Sequence, residues 1–115
     1  MELETLRQAC LALPAVQEEV KWGADLVYTV GTKMFCVAGT DGPLTFSCKV
    51  PDDQFEELCR VPGIEPAPYL ARARWVLLTE ACSWKGSQQL ELVRGSYRLV
   101  SAKLTKKVKG EIGIV

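Results

Sequence analysis

With 115 residues, 48% of them hydrophobic and 24% charged, the chain has the size and mix of one globular domain spanning residues 1–115. Its 14 Lys and Arg cancel its 14 Asp and Glu, which excludes a strongly basic protein. It has no histidine, so the commonest general base and metal ligand is missing, which weighs against an enzyme.

Five cysteines (Cys10, Cys36, Cys48, Cys59 and Cys82) are scattered with no Cys-x-x-Cys pair. They read as reduced, mostly buried small hydrophobes rather than a disulfide framework or a zinc site. Apolar runs such as Trp75-Val76-Leu77-Leu78 are too short to span a bilayer, and Met1-Glu2-Leu3-Glu4 is unlike a signal peptide, so a cytoplasmic protein is expected. Charge is unevenly spread. Residues 1–57 carry four basic and ten acidic side chains, and residues 58–115 carry ten basic and four acidic. A dipolar molecule follows, with one face able to meet an anion.

In chain order, Leu3, Leu6, Cys10 and Leu13 form the stripe of an amphipathic helix over about residues 2–13, ended by Pro14. Val16 to Gly23 is ambiguous, with the alternation of a short strand. Leu26–Val30 and Met34–Ala38 read as strands joined by a tight turn at Gly31-Thr32. After the turn signal Asp41-Gly42-Pro43, Leu44, Phe46, Cys48 and Val50 alternate with polar residues, as in an antiparallel meander with one wet face. Pro51 and the carboxylates after it open a short helix. A loop stiffened by Pro62, Pro66 and Pro68 then leads into a strand through Arg72, Arg74 and Trp75. Ser87 is expected to cap a helix of about five turns carrying Leu90, Val93, Tyr97, Val100 and Leu104, with Gly95 as a weak point inside it. The order predicts an α+β two-layer sandwich, an antiparallel sheet packed on helices.

Several side chains could carry chemistry. Lys103, Lys106 and Lys107 share a face at helical spacing and could engage phosphates, or simply complement a helix C-terminus. Arg72 and Arg74 beside Tyr69 and Trp75 form a phosphate-and-base kit, although the arginines could equally pair with helix carboxylates. Lys33 on the hairpin and Lys49 on a wet strand face are isolated lysines. Trp84 sits in a loop that could expose it. The cluster Asp52, Asp53, Glu56 and Glu57 reads as a helix N-terminus, with no nucleophile or ligand set around it.

Lys21-Trp22-Gly23, Tyr28 to Phe35 and Lys49-Val50-Pro51 together resemble the MmcQ/YjbR family. So do Pro62-Gly63-Ile64, Pro66 to Val76, and Ser96 to Lys107. The pieces cover nearly the whole chain in the family's order. The resemblance implies a CyaY-like sandwich in a double-wing arrangement and a small bacterial DNA-binding protein. The family often has a histidine near Arg74 or Trp75, which this chain lacks. Similarity to frataxin-like folds would suggest iron, but the first helix offers only Glu2 and Glu4, so no metal or cofactor is expected.

The expected function is therefore non-enzymatic binding of double-stranded DNA, weak and salt-sensitive. Lys103, Lys106 and Lys107 would touch phosphates, with Arg72 and Arg74 adding contacts and the Lys33 hairpin acting as a wing. The alternative is a protein- or small-molecule-binding module that uses the Pro-rich loop with Tyr69, Trp75 and Trp84.

Overall fold

The computed structural model describes residues 1–114. The chain runs α1 (Leu3–Leu11), β1 (Val16–Lys21), β2 (Asp25–Val30), β3 (Lys33–Ala38), β4 (Phe46–Lys49), α2 (Phe55–Leu58), β5 (Ile64–Pro66), β6 (Trp75–Leu78), α3 (Gly86–Ala102) and α4 (Lys106–Ile112). The strands form one antiparallel sheet in the order β1-β2-β3-β4-β6-β5. Helices α1 and α3 pack on one face, giving the expected α+β two-layer arrangement. No described helix is long and apolar enough to cross a membrane.

The hairpin between β2 and β3 turns on Gly31 and Thr32, both at positive φ, as a two-residue turn between twisted strands requires. Register then slips between Tyr28 and Thr29, leaving Phe35 as an extra residue on β3. The bulge lets Phe35 and Cys36 both point into the core, where the Phe35 ring meets Tyr97 of α3 edge-on at 5.4 Å. Tyr28, Ala38, Phe46, Cys48, Val76 and Leu78 complete the wall beneath α3. The ambiguous stretch from Val16 is an edge strand tied to α1 and β2 through Glu18, which accepts bonds from Arg7 Nε and Tyr28 Oη, each at 2.8 Å.

Several local expectations need correction. The strand expected to include Arg72 and Arg74 begins only at Trp75. Ala71–Ala73 form a 3-10 turn, and Arg74 takes a left-handed conformation at φ 61°. The Pro-rich stretch contains a strand, β5, paired with the outer edge of β6, where Pro66 is tolerated at a sheet border. Lys85, not Ser87, caps α3, its N–H donating to Gln88 Oε1 at 2.9 Å. The long helix stops at Ala102 even though the apolar period continues to Leu104. Thr105 then caps α4 by accepting the Val108 N–H at 3.1 Å.

Candidate nucleic-acid interface

The β3–β4 ladder ends at the Cys36–Cys48 pair. Beyond it, the buried Ser96 hydroxyl donates to Phe35 O at 2.6 Å and accepts the Lys49 N–H at 2.9 Å. A helix side chain thus stands between the two strands. At this end of the sheet a cleft of about 440 Å³ is lined by Thr32, Lys33, Met34, Lys49, Trp75 and Lys103 among others. No carboxylate of the described residues lines it.

Three lysines share the cleft with the apolar side chains of Met34, Trp75, Val100 and Leu104. Partial burial lowers the Lys49 pKa first, and the like charges of Lys103 and then Arg74 push the same way, against an opposing pull from Asp52. Desolvation and crowding both disfavour a protonated amine. Lys49 Nζ donates to the Ala73 carbonyl, which fixes the ammonium at the cleft mouth. Trp75 is only 5% exposed and serves as wall rather than as a stacking surface.

The expected lysine face changes character. Lys103 caps the C-terminus of α3, whereas Lys106 and Lys107 open α4, so the three do not share one helix. Both lysines lie at the positive end of α4, which rules out the dipole-complementing reading for them. Packing nevertheless keeps them close to the hairpin. A methyl group on Gly31 would come within 2.8 Å of Leu104 Cδ1 and 3.0 Å of Val108 Cγ1, so α4 lies against the turn that carries Lys33. Lys33, Lys103, Lys106 and Lys107 are all exposed at this end.

The arginines divide. Arg74 lies over the Phe55 ring at 5.3 Å and 4.0 Å from Asp52, an exposed and long ion pair worth little by itself. The carboxylate-pairing reading thus holds for Arg74. Arg72 is exposed and forms no ion pair among the described residues. Lys49 is the cleft residue that sequence reasoning undervalued, because a lone lysine on a wet strand carries no signal of what it faces.

The aromatics of the alternative reading do not meet. Tyr69 projects wholly into solvent, Trp75 is buried at the lysine cleft, and Trp84 is half-buried beside a separate depression along α3. The loop that could have exposed Trp84 leaves it half-buried.

This architecture, a six-stranded antiparallel sheet under two packed helices with a lysine-lined cleft at its end, defines a small α+β two-layer domain. The YjbR family model matches residues 11–99, and the chain belongs to the YjbR family. Among solved structures, it is similar to a protein from Pseudomonas syringae at a TM-score of 0.72 and 16% identity, covering 86% of this chain and 98% of that one. That likeness shows a shared fold. No curated protein matches the chain.

Proposed function

We propose that this YjbR-family chain is a non-catalytic DNA-binding protein whose Lys33, Lys49 and Lys103 contact backbone phosphates. The observation that carries the reading is their convergence on one cleft free of carboxylates among the described residues. Lysine engages phosphate as a compact point charge and gives affinity without sequence preference. Lys106 and Lys107 extend the basic surface along α4, and Arg72 and Arg74 add positive potential nearby. Binding rather than catalysis is favoured because the chain has no histidine and the cleft wall is aliphatic and aromatic. Such a ligand would place the protein in the bacterial cytoplasm.

The test is fluorescence anisotropy with a short random duplex at two salt concentrations. The expected result is weak binding that falls steeply with salt, by about 0.9 in log–log slope for each phosphate neutralised. Absence of binding at low salt would overturn the reading.

A further inference from the structure

Trp22 and Tyr69 are 68% and 103% exposed and stand at the rim of one depression of about 530 Å³. They arrive from different places, Trp22 from the turn between β1 and β2 and Tyr69 from the Pro-rich loop. Each is held at positive φ, 51° and 66°, a conformation costing a bulky residue about 1–2 kcal/mol. Strain of this kind persists where the surroundings impose it, and it concentrates at ligand clamps. Hydrogen bonds tie down both neighbourhoods: Thr40 Oγ1 donates to Ala24 O two residues after Trp22, while Ala67 N–H donates to Trp75 O at 3.0 Å and Trp75 N–H to Leu70 O at 3.2 Å on either side of Tyr69.

The cleft floor is the sheet face opposite α3, with Met34, Val37 and Leu70 contributing apolar surface. Asp25 is its one charged side chain among the described residues, and it forms no ion pair with any of them. Met34 also lines the lysine cleft, so the two clefts share one wall residue.

We propose that unpaired bases of a single-stranded nucleic acid stack on Trp22 and Tyr69 while the neighbouring phosphates reach Lys33, Lys49 and Lys103. The inference rests on the phosphate reading and adds the state of the strand. A duplex keeps its bases stacked on one another and cannot use these rings, whereas a single strand offers every base a free π-face. Charge orients the ligand. The Asp25 carboxylate repels phosphate but accepts bonds from exocyclic amino groups, and the lysines do the reverse. Bases therefore belong in the aromatic cleft and phosphates in the basic one.

Anisotropy titrations with a labelled single strand of about twelve nucleotides and with its duplex test this on wild type, Trp22→Ala, Tyr69→Ala and the double variant Lys33→Ala/Lys103→Ala. Each aromatic change should weaken single-strand binding by about tenfold and leave duplex binding unchanged, while the lysine variant weakens both. Oligo(dC) should bind more tightly than oligo(dT), and Asp25→Ala, which removes the acceptor, should abolish the difference. Unchanged single-strand affinity in both aromatic variants overturns the inference and leaves the phosphate reading standing. Undiminished binding of both ligands by the lysine variant overturns the phosphate reading instead. Trp22 and Tyr69 project into solvent, so unchanged thermal melting will show that their variants fold.

Discussion

Ser96 and Phe35 lie 61 residues apart, yet the Ser96 hydroxyl donates to the Phe35 carbonyl at 2.6 Å in the middle of the core. The same oxygen takes the Lys49 N–H, so one side chain satisfies both strands where their own ladder stops. Ser96→Ala leaves two buried backbone groups unpaired, at about 1–3 kcal/mol each. Urea denaturation should show a loss of about 2–6 kcal/mol. A loss within error would mean that the strands close on each other without the hydroxyl.

Gly63 offers a sharper steric test. At φ 84°, a Cβ there would sit 2.1 Å from the Cys82 backbone nitrogen, and backbone cannot swing aside as a side-chain tip can. Gly63→Ala should destabilise by more than about 3 kcal/mol or abolish folding, as read by circular dichroism and melting. Wild-type stability would mean that the Gly63 and Cys82 loops separate without cost.

Gly95 should behave oppositely. It lies inside α3, and the nearest atom to an added Cβ is an Arg98 guanidinium nitrogen at 3.8 Å. The methyl group has room, so Gly95→Ala should raise stability by about 0.5–1 kcal/mol through the helix propensity of alanine. A fall in melting temperature would point to crowding along that face.

Alkaline pH should weaken the fold. Burial pushes the Cys48 thiol up to about 12 from 9.0, with the Cys10 charge adding to it. Burial and the bond to Glu18 raise Tyr28, while the Cys10 thiol contact and then burial raise Cys36. The folded protein keeps protons that the unfolded chain releases, so stability is fully present below about pH 9 and is lost as pH rises toward about 12. Urea midpoints measured across this window should fall, and Cys48→Ala should flatten the decline. A midpoint independent of pH across it would contradict buried thiols.

Salt dependence separates the lysines. Lys49→Ala and Lys103→Ala should each lower duplex affinity and reduce the log–log salt slope by about 0.9. Arg74→Ala should change the slope less, because its guanidinium already lies over Phe55 and near Asp52. Equal slopes for wild type and all three variants would remove this cleft from the contact surface.

What was legible in the sequence was local. The α1 stripe, the Gly31-Thr32 turn and the alternation along β4 each depend on neighbours a few positions away, and each was found in place. The break between α3 and α4 was hidden because Leu104 keeps the helical period across it, although Thr105 was a cap available to be read. β5 was masked by its prolines, whose cost vanishes at a sheet border. Arg74 looked like a strand residue because a left-handed arginine leaves no mark in composition. In the site, Lys33 and Lys103 were visible as charges, but their meeting with Lys49 depends on where Ser96 parts two strands. Trp22 read as a strand residue, and its exposure follows from a turn that only the folded backbone reveals.

The strand order carries a kinetic consequence. β1 to β4 neighbour one another in sequence order, so this half of the sheet can zip from the Gly31 turn outward with little loop closure. β6 must instead insert between β4 and β5, and α3 must then deliver a side chain across 61 residues. Non-local closures slow assembly, and the Ser96 bond can close only afterwards, once both strands that it bridges are in place. Loss of the Ser96 rung should therefore accelerate unfolding far more than it slows refolding, making that hydroxyl the latch that determines how long the finished molecule stays shut.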